Sequence, residues 1–443
     1  MAREDNRETE EKSPPKKRMR TGRNLGESSA LLPRAGPRRN RNDGGQPEEA
    51  AAEEVAAVAV AEKPTVAAEP APAPAPAVAG ESYLPGLPDD VSLEILARVS
   101  RSDYTTVACL NKKYKALMGS GTVYEVRRKL GIRREEWVLM ACGLMPWEVF
   151  EPSRLRWKEL APIPTDDQCF KCADKESLAV GTDLLVFGRE VEGLVIWKYS
   201  WVGRQWSRNQ GMNSPRCLFG ASSVGVHHHH HHRLQQEVAI VAGGCDMFGK
   251  IVQSAELYNS AEGTWTALPD LKSGPRKMCA GFYMDGKFYV IGGMSSNTTY
   301  VTSGEEYDME RGTWRVIENM YPNAISGGGR SPPLVAVVKN ELYAADLMTN
   351  QVHKYNKESN TWRVVKRLPI RANAAHGWGI AFRACGDWLM VIGGKYVNQS
   401  DAIVIHSWDP DDLDHGAERD WNVVAQRTTS AGSFVYNCAI MGC

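Results

Sequence analysis

No stretch of this sequence is long and apolar enough to cross a membrane or act as a secretory leader. The most apolar early run, Val55 to Val60, is short, Ala-rich and flanked by Glu54 and Glu62. Net charge is missing too, because 53 Lys+Arg balance 53 Asp+Glu. That removes a uniformly basic, nucleic-acid-type surface as the default, although the balance hides strong local segregation. Paired cysteine spacing is absent among the 10 cysteines, so thiols in a reducing compartment are expected rather than disulfides. The lone Cys169-Phe170-Lys171-Cys172 lacks the second pair or nearby His that a tetrahedral zinc site needs. Without secretion, Asn297-Thr298-Thr299 and Asn398-Gln399-Ser400 are ordinary polar loop residues rather than glycosylation sites.

Aromatic residues are absent up to Gly80, where the chain is rich in Ala, Pro, Glu and Arg. Such a segment cannot bury enough apolar surface to offset its ordering entropy, and residues 1–80 are expected to be disordered. Within it, Pro14-Pro15-Lys16-Lys17-Arg18-Met19-Arg20, followed by Arg38-Arg39-Asn40-Arg41, has the form of a nuclear-import peptide. The alternative is a solvated basic tail with weak nucleic-acid affinity. Pro70 to Ala77 alternates Pro and Ala and is an extended, semi-rigid spacer.

What the sequence has in quantity is repetition. Ala280 to Met284, an Asp285-Gly286 turn and Lys287 to Ile291 read as a hairpin that ends in Gly292-Gly293, followed by Tyr307 and Trp314. The Tyr307-to-Trp314 interval recurs unchanged at Tyr199–Trp206, Tyr258–Trp265 and Tyr355–Trp362. Glycine pairs recur at Gly243-Gly244 and Gly393-Gly394, while Phe187-Gly188 and Ala345-Asp346 stand in that place in two degenerate copies. Trp157, Trp206, Trp265, Trp314, Trp362 and Trp421 step along the chain roughly every 50 residues. In the last copy Trp408 replaces Tyr, and the insertion Asp409 to Asp420 precedes Trp421. The pattern resembles the kelch family, whose fold is a β-propeller of four-stranded sheets stacked around an axis.

Between Leu84 and Gly143 the apolar period becomes helical. Asp89 or Asp90 is positioned to cap a helix carrying Val91, Ile95, Leu96 and Val99, and Asp103 a second one carrying Tyr104, Val107, Leu110, Tyr114 and Leu117. A third spans Val123 to Leu130, and Glu135 to Cys142 is read as a fourth. So small a unit has little core of its own, which points to a partner covering part of its apolar face. Leu87-Pro88-Asp89-Asp90, Ile95-Leu96, Asp103-Tyr104, Val107 to Leu110 and Lys112-Lys113-Tyr114 follow the F-box pattern in order. Two positions depart from it: Tyr114 stands where Trp is common, and Ser100-Arg101-Ser102 replaces a Pro-containing turn.

Together the chain resembles plant F-box/kelch-repeat proteins, with an F-box domain at 81–131, a helical joint at 132–156 and an all-β propeller at 157–443. The resemblance implies that Leu87, Pro88, Ile95, Leu96, Val99, Val107 and Leu110 dock on a Skp-type adaptor of a cullin ubiquitin ligase. The propeller then holds the protein to be ubiquitinated, raising its effective concentration near activated ubiquitin, and the chain needs no catalytic residue. No cofactor, metal, membrane or specific nucleic acid is called for. Five repeats leave five or six blades open, with Trp157's strand before the first and Ser433 to Met441 after the last. Those two ends are placed to join and close the ring.

Loops that follow each tryptophan strand emerge on one face of a propeller. Arg216, Arg276, Arg330 and Arg371, with His376 and Trp378 nearby, fall in these loops. They are expected to form a receptor for an acidic or phosphorylated segment of the client; otherwise they pair with carboxylates within each blade. His227 to His232 is a low-complexity hairpin insertion without an assigned role. A scaffold acting outside a ligase is the alternative function. A metal-dependent kelch enzyme is a third, disfavoured because His353, His376, His406 and His415 read as unrelated repeat registers.

Overall fold

A computed structural model describes residues 82–132, 134–142, 146–172, 176–224, 237–322, 331–372, 378–397, 400–413, 420–430 and 432–442. The basic motif with Lys16, Lys17, Arg18 and Arg20, the Pro-Ala spacer and the hexahistidine lie outside the described residues.

Helices come first: α1 (Asp89–Ala97), α2 (Tyr104–Ala108), α3 (Lys112–Ser120) and α4 (Thr122–Lys129). Leu96, Ala97, Tyr104, Leu117, Met118, Val123 and Tyr124 form their core. Neither Asp89 nor Asp90 caps α1. Pro88 is its N-cap, and Asp89 instead accepts the Tyr83 backbone N–H at 2.9 Å, pinning the preceding turn. The single helix expected from Asp103 to Leu117 is broken at Asn111, whose side chain accepts the Tyr114 N–H at 2.8 Å and starts α3. Asn competes for the backbone in this way and favours caps over helix interiors.

A larger correction concerns the joint. Glu136–Cys142 is a strand, and every residue after Glu136 is buried. A short, uninterrupted apolar run fits a strand covered on both faces as well as it fits a buried helix, and periodicity alone does not separate them. With Glu148–Glu151 and Arg156–Glu159 it forms most of a blade, so the propeller begins near Glu136 rather than at Trp157.

Six antiparallel four-stranded sheets make the ring. Blade 1 runs from the axis outward as Val435–Gly442, Glu136–Cys142, Glu148–Glu151 and Arg156–Glu159. Blades 2 to 6 begin at Glu176, Gly220, Ala280, Leu334 and Ile380 and take their strands in sequence order. The innermost strands touch their neighbours in a closed circle. Closure pairs the last strand with Glu136–Cys142, from Glu136 opposite Gly442 to Cys142 opposite Val435. The two ends of the propeller thus share one blade, with Trp157's strand outermost and the C-terminal strand innermost, and the ring closes with only short outer edges left.

The repeated aromatics explain how blades hold together. In each regular blade Tyr faces Trp across the outer strand pair: Tyr199 opposite Trp206, Tyr258 opposite Trp265, Tyr307 opposite Trp314 and Tyr355 opposite Trp362. Their ring centroids lie 5.2, 4.9, 5.0 and 5.1 Å apart. Every one of these indoles then donates its N–H to a carbonyl at the end of the preceding blade. Trp206 reaches Ala161 at 2.6 Å, Trp265 Gln210 at 3.1 Å, Trp314 Pro269 at 2.8 Å and Trp362 Met320 at 2.8 Å; Trp421 in the irregular copy reaches Arg367 at 2.7 Å.

The glycine pairs serve the same junctions. Gly244 has φ +100°, and a Cβ there would lie 2.6 Å from the Cys217 carbonyl. Gly293 repeats the arrangement at φ +91°, 2.5 Å from the Lys277 carbonyl. Gly393 and Gly394 differ: they lie inside the long strand Trp388–Val397, paired with Val404 and Ile403.

Replacing Trp314 by Phe keeps the ring but strands the Pro269 carbonyl. A loss of about 1–3 kcal/mol is expected, measured by chemical denaturation of the full chain; unchanged stability would show that the indole N–H does not stitch blades.

Candidate functional site

The helical unit presents two kinds of apolar residue. Val91 and Ile95, one turn apart on α1, are exposed, as are Leu87 just before it and Leu110 between α2 and α3. Leu110 is 66% exposed and Ile95 44%. Pro88 is exposed as well. Leu96, by contrast, is only 6% exposed and belongs to the core, with Val99 and Val107 half-buried against it. Of the predicted contact residues, Leu87, Pro88, Ile95 and Leu110 are therefore available to a partner and Leu96 is not. Val91 belongs with them and was left out of the predicted contacts, although its i, i+4 spacing to Ile95 carried the signal.

The opposite side of the unit is fixed to the propeller. Arg127 donates to the Ala97 and Val99 carbonyls at 2.8 and 2.9 Å, holding the C-terminal end of α1, and to Glu135 at 3.0 Å. Glu135 also accepts from Ser100 Oγ at 2.9 Å and the Arg101 N–H at 3.0 Å. The buried Arg101 guanidinium lies 3.8 Å from the ring centroid of Trp137, which packs edge-on against Trp201 at 4.6 Å. Arg154 clasps Asp103 with two hydrogen bonds of 2.8 and 2.6 Å, and these hold the Asp103 carboxyl below its usual range. Arg154, Trp201 and Val202 all lie in turns between third and fourth strands, so the helices sit on that face of the ring. Alternation of antiparallel strands puts the connections between blades, and the loops between second and third strands, on the other face.

That other face does not carry the predicted cation ring. Arg216 and Arg276 are fully buried, at 1% and 0% exposure. Arg216 pairs with Glu256 at 2.6 Å and Arg276 with Glu305 at 2.9 Å. Each carboxylate also accepts backbone N–H groups of the connection that brings its arginine: Asn213 and Ser214 at 2.8 and 2.9 Å, Lys272 and Ser273 at 2.6 and 3.2 Å. These are structural pairs within the ring, the alternative weighed from sequence. Arg371 is exposed, whereas Arg330 and His376 lie outside the described residues. Histidine register needs revision too. His353 and His406 stand two residues before Tyr355 and Trp408, the position held by Glu256 and Glu305 before Tyr258 and Tyr307. His406 is buried and His353 half-buried, and this desolvation lowers both pKa values below the ordinary one and favours the neutral imidazole.

The F-box domain pattern matches residues 84–124, and the kelch motif pattern matches 237–272 and 275–321. Among curated proteins, the chain is 44% identical over 372 residues to the F-box/kelch-repeat protein At1g26930 of Arabidopsis thaliana, covering 82% of this chain and 84% of that protein. It is 46% identical over 363 residues to the F-box/kelch-repeat protein SKIP11 of the same plant, covering 80% and 74%. The chain belongs to the F-box/kelch-repeat family.

In this F-box/kelch-repeat protein the face away from the helices is apolar at its loop tips. Val191, Phe248, Met348, Trp378 and Tyr396 are all exposed there, Phe248 at 86%. Arg189, Lys250, Arg371 and Lys395 are exposed on the same side. The molecule therefore has uncovered apolar side chains at two opposite ends. Leu96→Ala should destabilise the helical unit by about 2–5 kcal/mol, whereas Ile95→Ala should stay within about 0.5 kcal/mol. Denaturation followed by hydrogen exchange in α1 measures both, and equal losses would contradict the assignment of the two side chains to core and surface.

Proposed function

We propose that this F-box/kelch-repeat protein is the substrate-recognition subunit of a Skp/cullin/F-box ubiquitin ligase. The F-box binds the Skp-type adaptor through Leu87, Val91, Ile95 and Leu110, and the propeller holds a client protein on its apolar loop face. The observation that carries the reading is the fixed attachment: a helical unit with an uncovered apolar edge is locked by Glu135, Arg101 and Arg154 to one face of the ring, leaving the opposite face clear. A receptor of this kind works by position, holding the client at high effective concentration beside ubiquitin activated elsewhere in the complex. The proposed client contact is an apolar segment fringed with acidic groups, matched to Phe248, Met348 and Tyr396 and the cations beside them.

Val91→Asp with Ile95→Asp places charge in a helix-in-groove contact and should weaken adaptor binding by about 2 kcal/mol or more with the fold retained, measured by calorimetry with purified adaptor. Phe248→Ala, Met348→Ala and Tyr396→Ala together should keep the adaptor and lose the proteins marked by proximity labelling. Adaptor binding that survives the double change sinks the ligase reading and leaves the scaffold alternative.

The segment around Lys16, Lys17, Arg18 and Arg20 is proposed to direct nuclear import. Alanine at these positions should leave a fluorescent fusion of the full chain outside the nucleus, and unaltered nuclear accumulation would refute this.

A further inference from the structure

Two cysteines meet at the root of the exposed Phe248 loop. Cys217 lies on the connection into blade 3, and Cys245 directly follows the Gly243-Gly244 pair. They form an antiparallel bridge and exchange both backbone hydrogen bonds, Cys217 N–H to the Cys245 carbonyl at 2.9 Å and Cys245 N–H to the Cys217 carbonyl at 2.8 Å. Their sulfurs are 3.8 Å apart. A hydrogen-bonded pair of this type separates its Cα atoms by about 5.5 Å, inside the window of roughly 4.4–6.8 Å that a disulfide spans. The Cα separation is thus within reach of a bond, and side-chain rotation with a small approach of the two Cβ atoms brings the sulfurs together. Gly244 makes this possible, because any side chain there would push the Cys217 carbonyl away.

We propose that Cys217 and Cys245 are a dithiol that hydrogen peroxide converts, reversibly, into a disulfide. Thiolate is available for the first step. The hydrogen bond between the two sulfurs, aided by the Lys277 ammonium, lowers Cys245 below the ordinary thiol value against the opposing effects of burial and Asp246, and the same contact raises Cys217. The Cys245 thiolate attacks one peroxide oxygen. The O–O bond breaks, and the departing hydroxide takes up the thiol's proton as water, leaving a sulfenic acid on Cys245. Cys217 Sγ then attacks Cys245 Sγ; the S–S bond forms, the S–O bond breaks, and the second hydroxide leaves with the Cys217 proton as water. Two thiols are oxidised and one peroxide is reduced to two waters. The other buried thiols are poorly suited: burial pushes Cys142 up to about 12 and Cys279 and Cys438 up to about 11. Cys245 also bridges to Ile251, closing the turn that carries Phe248, so the new bond ties this loop covalently to the start of blade 3.

The test uses the full reduced chain, a peroxide dose sufficient to oxidise free glutathione, alkylation of remaining thiols, and tryptic mass mapping. Cleavage after Arg216, Arg233 and Lys250 separates the two cysteines. The expected product is one species joining these peptides, lighter than their sum by two hydrogens, with two thiols lost from the native titre and both regained on adding dithiothreitol. Cys279→Ser should leave the link in place, and Cys217→Ser should abolish it. Separate alkylation of both peptides after peroxide, or a link through Cys279, would overturn the proposal in the wild-type chain itself, whatever the folding of the variants.

Discussion

Everything in this molecule depends on the pairing of Val435–Gly442 with Glu136–Cys142. A ring of sheets has no stable edge until its first and last blades meet, and here the meeting is made inside one blade by strands from both ends of the propeller. The same strand that accepts the C-terminal segment follows directly on the F-box. Its Trp137 receives Arg101 from the helices, and Glu135 just before it gathers Arg127, Ser100 and the Arg101 N–H. Closing the ring and fixing the F-box are therefore one structural event. Rigidity of this kind suits a positional receptor, since effective concentration is gained only when the linkage holds the two partners within reach.

Between blades the sequence repeats chemistry as well as shape. Each indole N–H satisfies a carbonyl of the neighbour before it, and each buried Arg–Glu pair ties a connection to the blade it introduces. Such pairs contribute little net stability over an apolar replacement, because desolvation offsets attraction. Their carboxylates also accept the N–H groups of the connecting loop, which specifies how one blade follows the next. In blades 5 and 6, neutral His353 and His406 occupy the glutamate's place. These are also the blades in which the glycine pair is replaced by Ala345-Asp346 or drawn into a strand. The repeat thus loosens as a unit, several positions changing together.

Much of this was legible in order. The Asp285-Gly286 hairpin formed at its expected residues, because the turn needs positive φ at both positions and has +52° and +74°. The Tyr and Trp spacing gave the outer strand pair of each regular blade, and the F-box residues gave the helices. Sequence left five or six blades open, because the sixth takes its inner strand from Val435–Gly442 and its outer ones from residues that carry no Tyr and no glycine pair. Trp137 to Cys142 misled because a strand buried on both faces has no alternation to read. The arginines misled for a different reason: sequence places Arg216 and Arg276 in the right loops but does not say which way a side chain turns. The acidic residues two places before Tyr258 and Tyr307 were the available clue, since a carboxylate at a buried position requires a cation. In the F-box, Leu96 and Ile95 are adjacent in sequence and opposite in burial, a distinction that only the helix phase set by Pro88 decides.

The central claim is that the two ends of the molecule do separate work, the F-box edge gripping the adaptor while the far loops stay free. Hydrogen exchange of the full chain with and without saturating Skp-type adaptor tests it directly. New protection confined to the segments bearing Leu87, Val91, Ile95 and Leu110, with exchange around Phe248, Met348 and Tyr396 unchanged, is the predicted result. Protection arising on those distant loops, or none anywhere, would contradict the account.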